Sequence, residues 1–372
     1  MDITLDDHHR ELGRVARQLF ESRSPLTTVR ELEESDLGYA PELWQEMARL
    51  DWLGLAVPEA LGGPGGNVLD LVALYREMGR ALVPSPHLGT AVIAADVLAR
   101  DGDRRDVLAA IMGGSALVAP ALLEPDGAWG PEAVTLPARR TLDGYHLRGT
   151  KLLVAYAHVA DHFLVATRTA APPDGITLFL VDARRPGVTV EPLPNIAGMP
   201  LFAVGFDLAL GAEAVVGAVD HGWQLLAPAL DRAAVLRGAE VVGAGERLLD
   251  MSVGYAHQRT QFGRPIGQFQ AVQYLCTDIA IATHLTDLFV RQAAWRLDQG
   301  LPARREVALA KGYASRAAQV VVHRAHEVHA GVAFMLESDV QLYTRRAKHW
   351  ELDLGDARYH DEVVAAGLEL AG

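Results

Sequence analysis

The sequence predicts an α+β fold, mostly α, in three blocks: an N-terminal helical domain, a middle antiparallel β-domain and a C-terminal helical bundle. Three observations predict it. Apolar residues recur at helical spacing toward both ends of the chain, and short apolar runs bounded by turn residues occupy the middle. Strands and helices do not alternate, which argues against a doubly wound nucleotide-binding fold.

The chain has 372 residues, 50% of them apolar, enough for two or three compact units of ~100 to 150 residues. Residues 1–115 form the first block, with Leu12, Val15 and Leu19 early and Leu69, Val72, Leu74 and Met78 after a glycine-rich turn. Residues 116–217 change character. Runs such as His162-Phe163-Leu164-Val165-Ala166 and Thr177-Leu178-Phe179-Leu180-Val181 are set off by Asp143-Gly144 and Pro172-Pro173-Asp174-Gly175, which are hairpin signals for a small antiparallel sheet. In residues 218–372 the helical period returns beyond Trp223, with alanine-rich stretches at 233–244 and 308–318 and few glycines or prolines after Pro302.

Charge and composition exclude several classes. A formal net charge of -13 offers no basic field for a phosphate backbone, so nucleic acid is not an expected partner. No run of ~20 uncharged apolar residues spans a bilayer, and Asp2, Asp6, Asp7 and Glu11 do not make the basic-then-apolar start of a signal peptide. A cytoplasmic, soluble protein is expected. The single cysteine, Cys276, rules out an internal disulfide, and its neighbours Tyr274, Leu275 and Ile279 suit a packed thiol more than a nucleophile.

Three motifs invite a chemical reading. Gly62-Gly63-Pro64-Gly65-Gly66 lacks the Lys-Ser/Thr of a P-loop and follows no strand, so a turn between helices is expected. His323, His326 and His329 spread over a partial helix face, but no acidic or cysteine pattern completes a metal site and none is expected. The segment Arg259-Thr260-Gln261-Phe262-Gly263-Arg264-Pro265-Ile266-Gly267-Gln268-Phe269-Gln270 gathers a forked cation, amides and aromatic faces at a turn between helices. It would suit an anion carrying a ring, or serve merely as a capped interhelical loop.

That last segment resembles the Arg-x-x-Phe-Gly signature of acyl-CoA dehydrogenases with its Ile-Gly-x-Phe-Gln continuation. Leu53-Gly54-Leu55-Ala56-Val57-Pro58-Glu59 with Gly62-Gly63, and Glu77-Met78-Gly79-Arg80-Ala81, are similar to the family's N-terminal pattern. Ala121-Leu122-Leu123-Glu124-Pro125 and Gly149-Thr150-Lys151 are similar to its middle domain. The resemblance covers nearly the whole chain. It implies an N-terminal helical domain, a β-domain and a C-terminal four-helix bundle, assembled as a tetramer, with FAD between subunits. The β-domain would hold the isoalloxazine near Leu123, Val154 and Ala155. The Arg259, Gln261, Phe262 and Gln270 group and a Gly-rich segment at His329 and Gly331 would hold the adenosine and pyrophosphate of a neighbour's FAD.

The family's reaction removes a proton from the α-carbon of an acyl thioester while a hydride leaves the β-carbon for the flavin, so a carboxylate base is required. Where many members carry that glutamate, this chain has Asp353-Leu354-Gly355-Asp356, and Leu354 takes no proton. Where others place it, after Asp231, stands Ala233. The remaining candidate is Glu240, about two turns beyond Ala233 in an apolar stretch where burial would raise a carboxyl pKa; the alternative is a carboxylate hydrogen-bonded between helices. The flavin side chains differ too. The family's Thr-Glu-Pro is Leu123-Glu124-Pro125, its Trp-Ile-Thr is Leu153-Val154-Ala155, and a glutamine of its Gly-rich segment is Glu327, an acid beside a diphosphate unless it points away.

The resemblance therefore implies an FAD-dependent oxidoreductase for α,β-dehydrogenation of an acyl-CoA, with an electron-transferring flavoprotein as acceptor. The losses favour the less complete partner of a heteromeric enzyme, similar to the paired subunits that bacteria use for steroid side chains and other bulky acyl thioesters. Two alternatives stand beside it: a homo-oligomer using Glu240, and a structural or acyl-CoA-binding subunit without activity.

Overall fold

A computed structural model of the chain describes residues 3–172 and 175–368; Asp2 and the turn residues Pro173 and Asp174 lie outside the described residues. The N-terminal block consists of α1 (Asp7–Arg23), α2 (Leu26–Glu33), α3 (Pro41–Arg49), α4 (Val68–Ala81), α5 (Ala95–Asp101) and α6 (Arg105–Met112). A π-helical turn, Leu88–Ala94, leads into α5. The glycine-rich segment is a turn folded back on residues 55–57: Gly62 and Gly65 take φ of +87° and +72°, and a Cβ on Gly63 would lie 2.3 Å from the Val57 carbonyl oxygen. It delivers the chain to α4, whose start is fixed twice. Asn67 and Asp70 form a reciprocal capping box, and the Asp298 carboxylate accepts from the Val68 and Leu69 amides at 2.7 and 3.1 Å.

The middle block has β1 (Val118–Ala121), β2 (Ala138–Arg140), β3 (Tyr145–Ala155), β4 (His162–Arg168), β5 (Ile176–Asp182), β6 (Val188–Pro192), β7 (Leu201–Leu210) and β8 (Val215–Val216). They make two four-stranded sheets, ordered β1-β4-β5-β8 and β2-β3-β7-β6. The expectation of one small antiparallel sheet is corrected on two points: there are two sheets, and β1 runs parallel to β4. A sandwich is needed because β4 and β5 are apolar on both faces. Phe163, Val165, Phe179 and Val181 meet Leu147, Val204 and Phe206 of the second sheet. Leu164, Ala166, Leu178 and Leu180 face the other way, packing with Ile93, Val97, Leu98 and Ala229. Burial on both sides is what turns these strands into continuous apolar runs.

The C-terminal block opens with α7 (Gly222–Gln258), followed by the hairpin β9 (Thr260–Gln261) and β10 (Arg264–Pro265). Helices α8 (Gln270–Asp298), α9 (Arg304–His329) and α10 (Asp339–Leu352) complete a four-helix bundle with α7, and α11 (Ala357–Ala366) packs on α9. Helix α4 crosses α7 at near-backbone contact. A Cβ on Gly79 would lie 2.1 Å from the Glu240 carbonyl oxygen, and one on Gly243 would lie 1.7 Å from that of Arg76. Small residues at this crossing bring Glu240 against α4. Among the described residues no helix is long and apolar enough to cross a membrane.

Candidate active site

A cavity of ≈ 500 Å³ opens where the N-terminal block, the sandwich and the bundle meet. Its walls are mostly apolar, from Leu88 and Ile93 of the π-helical turn and α5 approach, Leu117 and Leu122 beside β1, and Met199 and Leu201 at the start of β7. Into it come Leu123, Ala155, Glu240 and Leu354, residues far apart in sequence.

The β-side wall is held by a buried ion pair. Lys151 Nζ lies 2.7 Å from Glu124 Oε1 and donates to the Leu122 carbonyl at 3.0 Å, while Glu124 accepts from the Thr135 and Leu136 amides at 2.9 Å each. Burial lowers the Lys151 pKa, and the glutamate offsets part of that. Burial pushes Glu124 upward, yet Lys151 and Thr135 hold it below the usual carboxylate value. The pair ties the end of β1 to β3, and the Leu152 amide donates to the Leu123 carbonyl at 2.8 Å. Just beyond Lys151 the pairing of β3 with β7 slips, and Leu153 adopts φ +53°. This bulge presents Leu152 and Leu153 to the cavity and turns Val154 into the sandwich core. Val154, expected beside the isoalloxazine, thus points its side chain into the core, and Leu153 next to it lines the cavity.

On the bundle side, Arg237 and Glu240 share one face of α7. Arg237 donates to Glu240 Oε2 through Nη1, and to Asp353 Oδ2 through Nη2 and Nε at 2.6 and 3.0 Å. Burial works against the arginine's charge, but Glu240 and Asp353 together hold its pKa above the usual value. Burial would raise Asp353 as well, yet Arg237 keeps it below the ordinary range. Glu240 was expected in an apolar setting; the structure places it in a charged one, because the arginine three residues earlier turns back onto it. Arg237 and Asp353 are the residues that the sequence reading missed. Ala233 packs in the core and is not part of the cavity wall.

Leu354 occupies the wall at φ +60° in a turn with Gly355 at φ +93°. That turn is clamped from behind. Lys311 Nζ donates to the Gly355 carbonyl at 2.8 Å and to Ser315 Oγ at 2.7 Å, and His360 Nε2 lies 3.0 Å from the Leu354 carbonyl oxygen. Burial brings Lys311 down to about 7 and His360 down to about 4.

The remaining expected residues lie elsewhere. Arg259, Gln261, Phe262 and Gln270 are absent from the cavity wall and stand exposed on the β9–β10 hairpin and its exit into α8. Phe262 is 92% exposed with φ +52°, Arg264 lies 4.2 Å over the Phe269 ring, and Gln270 donates to the Tyr274 hydroxyl at 2.7 Å. From Glu240 to Arg259 the chain climbs α7, about 28 Å at 1.5 Å per residue. His329 is buried and stacks on Tyr255 at 4.5 Å, which joins the end of α9 to the hairpin end of α7. Gly331 lines a separate open concavity of ≈ 660 Å³ with His323, Arg324, His326 and Glu327. Glu327 pairs with Arg324 at 2.8 Å, so its charge is partly matched. His326 lies 2.7 Å from Thr344 Oγ1, and no group of three or more metal-binding side chains forms among the described residues. Cys276 is half-buried on α8, and burial raises its thiol pKa.

These positions can be tested against FAD. The hairpin fits an adenosine diphosphate end: it offers an exposed guanidinium, amide side chains and the exposed ring of Phe262, which meets Phe269 only edge-on at 6.0 Å. At Leu123, Leu153 and Ala155 the side chains bring no donor, so at these positions only main-chain groups could bond an isoalloxazine; the wall's polar side chains, among them Thr90, Asn195, Arg237 and Arg346, stand elsewhere on it.

Comparison with known proteins agrees along the chain. Residues 6–106 match the acyl-CoA dehydrogenase N-terminal domain, 119–207 the middle domain and 220–368 the C-terminal domain. The acyl-CoA dehydrogenase FadE27 of Mycobacterium tuberculosis is 35% identical over 383 residues, covering 100% of this chain and 99% of its own. The ChsE4-ChsE5 complex of Mycobacterium tuberculosis superposes with a TM-score of 0.89 at 32% identity, covering 100% of both chains. Butyryl-CoA dehydrogenase of Megasphaera elsdenii gives 0.90 at 25% identity, with 99% of each chain covered. The chain belongs to the acyl-CoA dehydrogenase family.

Proposed function

We propose that this chain is the less complete subunit of a heteromeric, FAD-dependent acyl-CoA dehydrogenase that carries out α,β-dehydrogenation of an acyl-CoA thioester. The observation that carries the proposal is the separation within one chain of an exposed hairpin suited to FAD from a cavity poorly equipped for its isoalloxazine. The hairpin then serves a flavin seated mainly on a second, similar subunit, in a tetramer whose flavin is reoxidised by an electron-transferring flavoprotein. Similarity to the ChsE4-ChsE5 complex supports a two-subunit assembly. The setting is cytoplasmic. The test is the visible absorption of the protein prepared alone and co-expressed with a second dehydrogenase-like subunit. A colourless chain whose complex is yellow supports the proposal; a yellow chain bleached by acyl-CoA alone contradicts it. No flavin in either preparation would identify an inactive structural or acyl-CoA-binding subunit.

One observation favours a second reading, a working homo-oligomer with Glu240 as the base. Glu240 lines the cavity, and its ion pair engages Oε2, leaving Oε1 without a hydrogen bond among the described residues. In that case Glu240→Gln abolishes flavin reduction by substrate while flavin stays bound, and unchanged reduction would exclude it.

A further inference from the structure

The cavity contains a cation that neither reading uses. Arg346 lies on α10, on the face that also buries Leu342, Tyr343 and Trp350, and is only 5% exposed. It lines the cavity. Its acidic neighbours are poorly placed for it: Glu240 is engaged by Arg237, Glu33 gives its Oε2 to Arg345 at 2.6 Å, and the Arg346 Nη2 to Glu33 Oε1 separation is 3.7 Å. Two guanidiniums thus share one carboxylate, and the more exposed one holds the close contact. Arg346 Nε has no hydrogen-bond partner among the described residues.

The other charged groups at this end leave Arg346 without a close hydrogen-bonded ion pair. Arg237 stands between Glu240 and Asp353 and engages both, and Lys348 pairs with Glu351. Tyr156 is nearby, but it gives its hydroxyl proton to the Gly38 carbonyl at 3.3 Å and does not accept from Arg346 Nε. A guanidinium keeps its charge in a protein, and a buried N–H without an acceptor is unfavourable, so the site is built to be completed by an acceptor from outside the chain. The surrounding leucines strengthen any such bond by excluding water.

We propose that Arg346 forms a subsite for an oxygen atom, carbonyl or carboxylate, carried on the acyl group beyond its thioester. The cavity then selects oxygen-bearing acyl thioesters over plain alkyl ones of the same length. The proposal rests on the cavity being an acyl site, and not on which subunit performs the chemistry.

The test uses the complex with its partner subunit and three acyl-CoAs of matched length ending in a methyl group, a methyl ketone or a carboxylate. Binding is measured by calorimetry, without turnover. The parent complex should bind one or both oxygen-bearing ligands about 10- to 100-fold more tightly than the methyl-ended one, the scale of a hydrogen bond to a charged group. A gain for the carboxylate alone identifies charge pairing, and a gain for the ketone as well identifies a neutral acceptor. Arg346→Met should remove the preference while the methyl-ended ligand binds as before. Arg346→Lys should retain more of it for the carboxylate than for the ketone. Equal affinity for all three ligands in the parent, or a preference that survives Arg346→Met, would overturn the subsite. Should Arg346→Met not fold, the parent affinities and the lysine variant decide the matter. A complex that binds none of the three overturns the acyl-site reading itself, a separate outcome.

Discussion

The cavity wall and the β9–β10 hairpin are both regions that the family resemblance assigns to flavin, and they have diverged in opposite ways. At the hairpin the cation, the amides and the Phe262 ring all stand at the surface, with Phe262 92% exposed. On the β-side of the cavity the scaffold stands in the buried Lys151–Glu124 pair and the β3 bulge, while the side chains it presents there include Leu123, Leu153 and Ala155. A residue that serves a neighbouring subunit and one that serves its own chain's ligand are constrained separately. On the proposed function, this chain keeps the first set and lacks side-chain donors in the second.

Substitutions can break one side of the comparison without the other. The largest effect is expected from Lys151→Met. It strands Glu124 in the protein interior, which costs about 3–5 kcal/mol of stability by denaturant unfolding. The hairpin shares no contact with this pair, so the loss should appear in unfolding of the solo chain. Next comes Arg259→Ala, which leaves folding of the exposed hairpin unchanged but removes a charge-assisted bond to a phosphate. Flavin affinity of the complex should fall about 10- to 100-fold in an equilibrium dialysis measurement; unaltered affinity would detach the hairpin from flavin.

A pH-dependent effect sharpens the cavity side. Lys311, which clamps the 353–355 turn, is brought by burial from 10.5 down to about 7. Between those values the unfolded chain binds the proton that the folded chain lacks. The lysine's contribution is therefore fully present above pH 10.5 and is lost as pH falls through about 7. Melting curves should show parent stability rising relative to Lys311→Met across this window, by at most about 1.4 kcal/mol per pH unit. Parallel pH profiles for the two proteins would deny Lys311 that shifted titration.

Helical spacing made the outer blocks legible in the sequence, as with Leu69, Val72 and Met78 of α4. The β-region was legible as strands but not as two sheets. The pairing of Val118 with His162 crosses 44 residues and leaves no local trace. The site was legible where chemistry sits in a contiguous motif, as at the hairpin, and less so where it depends on geometry. One slipped residue in β3 exchanges Leu153 for Val154 at the wall. Arg237 carried a signal, an arginine one helical turn before Glu240 on an apolar helix. Arg346 carried another: it falls at the spacing of the buried Tyr343 and Trp350, an arginine on a core face. Asp353 carried none, since its role comes from a turn that brings α10 back to α7.

The most direct test of a shared site is the number of flavins bound per subunit in the purified complex, from flavin absorbance and protein concentration. If this chain lends its hairpin and its own cavity holds no flavin, the complex contains at most one flavin for each pair of unlike subunits. One flavin for every subunit would show that this chain's own cavity is a working flavin site and would contradict the account.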